Sequence, residues 1–381
     1  METPDLSQCF FLATASRGTE GLLADELRTL GAKGIDVVHG GVTFNGPIQT
    51  ALRICLWSRI ALRVLLQIGL REVRDEHALY KAARSLPLDD WFEADRTFAV
   101  FSRVRDNDAL KHSKYAALKV KDAIVDHVRD RQRRRPNVDP ARPDISLTLH
   151  IRGTQASFYL DLCGAPLNQR GYRVRDVDAP AKETLAAALL AYSGWRPPTP
   201  LHDPTCGSGT IAIEAALIAT NTAPGLLNGD LAALRWRHSD TVFRPMWDAM
   251  IAEAKEQRVP YRGVIIASDS DHDAVAAARA NAGAAGVADI VIVRQADARE
   301  VQPLLANGHF IANPPYGERI GGELIEVEDL YDELASAFAK CPDNPMTMLA
   351  VRDTLEPHFG AADTRMPVLN GKLRCEFANW E

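Results

Sequence analysis

The spacing of apolar residues along this chain changes character near residue 180. Upstream, short β-like runs and amphipathic stretches follow one another closely. Phe10 to Ala15 reads as a buried strand, and Leu22, Leu23, Leu27 and Leu30 recur at helical spacing over 18–30. The run from Val37 to Phe44 predicts two short strands around Gly40-Gly41, then a helix over 47–57 and a strand over 60–68. A helix over 77–86, with Trp91-Phe92 as its hydrophobic cap, leads to a strand at 97–101. A long helix over 114–133 turns Ala117, Val120, Ile124 and Val128 inward, and strands 145–151 and 155–161 meet at a tight Gly153-Thr154 turn. Together these make two small α+β units.

Beyond a polar connector, Leu167 to Arg175, the rhythm lengthens. Apolar strands at 201–203, 264–267, 290–293, 309–312 and 346–351 alternate with alanine-rich helices over 181–193, 209–220, 272–285 and 325–339. Strands separated by helical runs predict βαβ units and a mostly parallel sheet. The stretch 221–262 is long for a connection, and Trp236, Phe243 and Trp247 fold it either onto the sheet or over the site. The expected divisions are 1–60, 61–165, a linker at 166–180, and 181–381.

Composition narrows the class. With 46% apolar and 25% charged residues the chain reads as a soluble globular protein. It shows no membrane-length apolar run and no secretory leader. The six cysteines (Cys9, Cys55, Cys163, Cys206, Cys341, Cys375) are scattered without metal-ligand spacing, so packing residues in a reducing cytoplasm are expected, and no metal. The formal net charge of −6 conceals an asymmetry: residues 1–175 hold 27 Lys and Arg against 21 Asp and Glu, and residues 176–381 hold 17 against 29. Residues 96–142 alone carry 13 positive and 6 negative side chains. One half is suited to a polyanion and the other to chemistry.

The chemistry is concentrated at strand ends in the second half. Leu201-His202-Asp203 runs into a glycine turn, Pro204 to Gly209, and then a helix; Gly207 and Gly209 allow close backbone approach to a ligand at a helix N-terminus. No Lys-Ser/Thr follows the glycines, which excludes a Walker loop. The next strand ends in Asp269, a carboxylate able to accept both hydroxyl hydrogens of a ribose, while Asp271 and Asp273 suit helix capping. Asp297 follows the third strand, where it could accept an exocyclic adenine amine. The fourth runs into Asn313-Pro314-Pro315-Tyr316. Two prolines remove two amide donors and stiffen the corner. The Asn313 carboxamide oxygen and the Pro314 carbonyl can then accept the two hydrogens of a flat amino group while Tyr316 stacks on its ring.

On these motifs the region 180–381 resembles a class I S-adenosylmethionine-dependent methyltransferase. The resemblance implies that Asp203, Thr205, Gly207 and Gly209, with Glu183, Thr184 and Asn313, hold the cofactor, that Asp269 holds its ribose and that Asp297 holds its adenine. Asn313, Pro314 and Tyr316 would be catalytic, acting on a planar nitrogen. Ala15 to Leu23 and Gly40 to Phe44 resemble the start of a ferredoxin-like plus THUMP arrangement. Leu167 to Arg173 and Ala179 to Ala186 resemble its junction with the methyltransferase. The implied fold is α/β: a C-terminal Rossmann-like class I methyltransferase with a mostly parallel seven-stranded sheet, preceded by α+β ferredoxin-like and THUMP domains. With Gly317-Glu318-Arg319 included, the chain is similar to the stand-alone bacterial 23S rRNA guanine-N2 methyltransferases. Ending at Glu381, it is expected to lack the second methyltransferase domain of the fused version.

The partner so implied is RNA, 23S rRNA first and tRNA as the alternative; a non-catalytic assembly factor or a DNA adenine or protein glutamine methyltransferase are competing readings. A monomer is the expected state. Phosphate contacts are expected from Arg103, Arg105, Lys111, Lys114, Lys119, Arg131, Arg133, Arg134 and Arg135. Arg170, Tyr172 and Arg173 either touch the substrate or pin the linker.

Overall fold

Two β-sheets joined through one connector organise the chain, in a computed structural model that describes residues 4–177, 181–304, 307–316 and 324–381. The first sheet contains β1 (Cys9–Thr14), β2 (Lys33–Val38), β3 (Gly41–Gly46), β4 (Arg63–Glu72), β5 (Thr97–Arg105), β6 (Asn137–Val138), β7 (Ile145–Arg152) and β8 (Gln155–Asp161). Their spatial order is β2-β3-β1-β4-β8-β7-β5-β6. β4 pairs antiparallel with β1 on one side and β8 on the other, so both N-terminal units share one continuous sheet.

Helices α1 (Glu20–Thr29), α2 (Ile48–Trp57), α3 (Glu76–Arg84) and α4 (Ser113–Gln132) belong to this half. The Asp75 carboxylate caps α3 by accepting the Ala78 amide at 2.7 Å. In α4 the inward stripe is Ala116, Val120, Ala123, Ile124 and Val128; Ala117, expected there, is half-buried one position off. The strands alternate as their period demands. Phe11 and Ala13 share the core with Leu23, Leu27 and Leu52, whereas Leu12 turns to the opposite face. There Leu12, Leu65 and Tyr159 form a separate small cluster with Val38 packed against it.

The second sheet contains β9 (Leu201–Asp203), β10 (Ile265–Asp269), β11 (Val291–Gln295), β12 (His309–Ala312), β13 (Met346–Val351), β14 (Thr364–Asn370) and β15 (Leu373–Trp380). Its seven strands run β11-β10-β9-β12-β13-β15-β14. The first five are parallel, and β15 pairs antiparallel with β13 and β14. β9 and β12 are buried almost throughout, which requires cover on both faces. Successive strands run outward from β9 in one direction to β11 and, from β12, in the other. The crevice between the C-terminal ends of β9 and β12 is therefore a topological switch point, where ligands bind in open α/β sheets. The remaining helices are α5 (Glu183–Tyr192), α6 (Thr210–Ala219), α7 (Gly225–Asn228), α8 (Arg244–Glu256), α9 (His272–Ala284), α10 (Leu324–Phe338) and α11 (Glu356–Phe359).

The long stretch after α6 packs against the first half rather than lying over the switch point. α7 and α8 rest on α2, and the buried Trp236 meets Trp91 edge-on at 5.7 Å. A buried ionic group fastens the same junction. Arg59 donates to the Leu217 and Thr222 carbonyls at 3.3 and 3.0 Å, Arg170 donates to the Arg59 carbonyl at 2.6 Å, and Arg170 lies 3.5 Å from Glu214, which is fully buried. On another side, a Cβ added at Gly18 would sit 2.0 Å from the Pro367 carbonyl, and Leu369 donates to the Arg17 carbonyl at 2.9 Å. Among the described residues no helix is long and apolar enough to cross a membrane.

Candidate active site

The glycine turn is shaped by two left-handed residues. Gly207 has φ +51° and Gly209 φ +84°; a Cβ on Gly209 would also crowd Ala278 of α9 at 3.1 Å. Asp269 closes the turn from the neighbouring strand end, its Oδ2 accepting the Gly207 amide at 2.8 Å and its Oδ1 the Asp271 amide at 3.1 Å. Asp271 caps α9, accepting the Asp273 amide at 2.8 Å. From α9, Asn281 reaches under the turn: its amide group donates to the Ser208 carbonyl at 3.0 Å, and its oxygen accepts the Val174 and Arg175 amides at 2.9 and 3.0 Å. The sequence reading missed Asn281. Its signal was a polar residue on the buried face of an alanine-rich helix.

Inside this frame several polar atoms are sealed from solvent with no partner among the described residues. Asp203 Oδ1 accepts the Thr205 amide at 3.3 Å, but Asp203 Oδ2 has none there, and neither do Thr205 Oγ1 and Thr184 Oγ1. Burial pushes the Asp203 carboxyl well above its ordinary range; the Thr205 amide opposes this and the nearby Asp269 charge adds to it. Orphaned oxygens in native folds call for an explanation, and a donor-bearing ligand supplies one. β9 and β12 are adjacent, with Phe310 opposite His202, so Asp203 and Asn313 stand at neighbouring strand ends. Glu183 differs from expectation: it is buried against Arg173 at 3.0 Å. Asp297 is also engaged, both oxygens accepting from Arg299 at 2.5–3.0 Å. Hydrogen bonding from Arg299 holds its carboxyl below the usual range.

The Asn313 corner departs from the sequence expectation in one respect. Tyr316 is 8% exposed, and its hydroxyl donates to Asn313 Oδ1 and lies 3.4 Å from the Leu349 carbonyl. The ring is packed inward and does not present a face to a substrate base. The physical reason is that a phenol so placed satisfies the carboxamide oxygen and buries its ring together. The corner is braced further by Tyr331, whose hydroxyl donates to the Pro315 carbonyl at 2.8 Å. Gly317, Glu318, Arg319, Ala179 and Pro180 lie outside the described residues.

The basic candidates separate into two groups. Arg103, Arg105, Lys111, Lys114, Arg131, Arg133, Arg134 and Arg135 are exposed, and Lys119 is half-buried, 3.3 Å from Glu76. Arg170 and Arg173 do not belong with them. Arg170 is 2% exposed within the Glu214 ionic group, where no phosphate can reach it. Arg173 faces inward, donating to Glu183 at 3.1 Å, Ser208 Oγ at 2.9 Å and the Ala181 carbonyl at 3.1 Å. Tyr172, also buried, donates to Glu214 at 3.1 Å. All three pin the connector.

Comparison with known proteins assigns families to these regions. The methyltransferase domain family described as RMKL-like matches residues 170–377, the THUMP domain residues 73–161, and the RlmL ferredoxin-like domain residues 10–65. A Syntrophotalea carbinolica protein named ribosomal RNA large subunit methyltransferase K/L is 39% identical over 97% of this chain and 53% of its own length. The chain spans about half the length of the curated relatives it matches. Among solved structures, SMU.472, a putative methyltransferase complexed with SAH, superposes with a TM-score of 0.88 at 31% identity over 98% of both chains. A Listeria monocytogenes protein described as a predicted N6-adenine-specific DNA methylase superposes at 0.86 and 30% identity, over 98% of this chain and 96% of that one.

Proposed function

The chain belongs to the RMKL-like methyltransferase family, and on that premise we propose that it moves a methyl group from S-adenosylmethionine to the exocyclic N2 amine of a guanine in large-subunit (23S) rRNA. The observation that carries the reading is the set of sealed, unpartnered oxygens on Asp203, Thr205 and Thr184 beside a glycine turn, one strand away from Asn313. These acceptors suit the ammonium and hydroxyl donors of such a cofactor. Asp203 would hold the ammonium, the Gly207–Gly209 backbone would line the methionine portion, and Asp269 would meet the ribose. Asp297 can meet adenine only by sharing its carboxylate with Arg299. When bound, the cofactor supplies an electrophilic methyl group on sulfur.

The remaining work falls to this chain's own residues. Asn313 Oδ1 and the Pro314 carbonyl accept the two hydrogens of the amine, which localises its lone pair and spreads the positive charge that develops on nitrogen. The stiff Pro314-Pro315 corner fixes that direction of approach. Tyr316 donates to Asn313 Oδ1, whose second lone pair stays open to the amine. No strong base is needed, since the methylated nitrogen is acidic enough to lose its proton to water. The target guanine must leave any stack to reach the corner.

RNA is favoured over the DNA named for the Listeria protein by the THUMP domain and by the basic excess of residues 1–175. The purified chain should bind S-adenosylmethionine in a calorimetric titration. Nucleoside mass spectrometry should find N2-methylguanosine missing from the 23S rRNA of a deletion strain and restored by this chain. A deletion strain with unchanged N2-methylguanosine would overturn the substrate, and absence of cofactor binding would overturn the enzyme.

A further inference from the structure

Among the described residues, the helices of the first half pack on one face of the first sheet and leave the other uncovered. The strand periodicity puts Phe101, Arg103 and Arg105 of β5 on that face, beside Thr148, His150 and Arg152 of β7. Across the sheet the same face carries Phe10 and Leu12. Leu12, Leu65 and Tyr159, on the adjoining strands β1, β4 and β8, are buried at 6, 2 and 7% exposure on a face that no helix covers among the described residues. A sheet that buries side chains on its own open face is concave there.

The result is a sheet face with an apolar patch and a basic strand. Arg103 and Arg105 are exposed and make no ion pair among the described residues. Phe101, two positions before Arg103 on the same strand, is 47% exposed. His150 is held neutral, near a pKa of about 4, by burial and by the same two arginines, and its ring lies 5.5 Å from Tyr159. Free guanidinium groups beside a bare aromatic ring suit phosphates next to an unstacked base, whereas a duplex keeps its base faces hidden.

We propose, resting on the RNA-methyltransferase reading, that this sheet face is where a single-stranded segment of the substrate RNA is held, its phosphates on Arg103 and Arg105 and a base on Phe101. The test uses the full-length chain and a fluorescein-labelled single-stranded RNA of about 12 nucleotides, with an RNA duplex of equal length for comparison. Arg103→Ala/Arg105→Ala should weaken single-strand binding about tenfold and reduce the salt slope by about 1.4, the counterions of two single-strand phosphates. Phe101→Ala should weaken binding at least about fivefold with the slope unchanged, the signature of lost stacking. Duplex affinity should stay within about twofold in both variants, and S-adenosylmethionine binding should be unaltered. Unchanged single-strand affinity, or an equal loss for duplex and single strand, would overturn the proposal. Such a result with cofactor binding intact would leave the methyltransferase reading standing, so the two failures are distinguishable.

Discussion

The two sheets of this molecule use opposite parts of the same kind of architecture. The N-terminal sheet is covered on one side and leaves Phe101, Arg103 and Arg105 on the other, so its functional surface is a face. The C-terminal sheet is sealed on both sides along β9 and β12, so its functional surface is an edge, the row of strand ends at Asp203, Asp269 and Asn313. A face reads an extended ligand by repeated weak contacts. An edge at a switch point gathers a few polar atoms around one small group. On the proposed reading, recognition and reaction are separated in one chain, and the connector between them is scaffolding pinned by Arg170, Tyr172 and Arg173.

The sharpest way to break that comparison is at the connector. Arg170→Met leaves Glu214 buried without its nearest cation and should lower stability by about 3–5 kcal/mol in urea unfolding. The salt slope of RNA binding by the folded fraction should not change. A reduced slope with intact stability would return Arg170 to the RNA surface.

At the edge, Asn313→Ala should reduce single-turnover methyl transfer by on the order of 10²–10³-fold. Cofactor affinity by calorimetry should stay within a few fold. Loss of cofactor binding with normal transfer per bound cofactor would contradict the assigned role.

The smallest effect is a proton. Burial raises the Asp203 carboxyl, and a bound ammonium group would stabilise its charged form. Cofactor binding should therefore release a proton, and affinity should rise with pH until the free-protein pKa is passed, then level off. In folding terms the sign is the reverse of a salt-bridged acid. A raised carboxyl favours the folded state at pH below its ordinary pKa, and that contribution is lost as pH rises through the folded value. Asp203→Asn should abolish the pH dependence of binding; calorimetry in buffers of different ionisation enthalpy reads both quantities.

The same contrast explains what the sequence disclosed. The catalytic edge was legible because each strand end brings its own short motif: Asp203 with the glycine turn, Asp269 after an apolar run, Asn313 before two prolines. Linear order preserves those neighbours. The proposed RNA surface was only partly legible, because Arg103, His150 and Tyr159 lie on three different strands and meet only through sheet pairing. Charge density drew attention to Arg133–Arg135 at the end of α4, while the exposed aromatic Phe101 passed as ordinary strand filling. Burial was the other blind spot. Arg170 and Arg173 look like surface arginines in a polar run, but Glu214 and Glu183, distant or hidden inside helices, draw them inward. The closing hairpin β14–β15 was missed as well, although Asn370-Gly371 marks its turn, with φ +65° at Gly371.

The close approach of Gly18 to the Pro367 carbonyl, a point of contact between the halves besides the buried ionic junction, has a further consequence. Fastened at both places, the halves are hindered from swinging like jaws. A strand gripped by one is offered to the other at a set span, as work is held in callipers. Such an enzyme would choose its nucleotide by how far it lies from the grip, so selectivity would reside in length before it resides in letters.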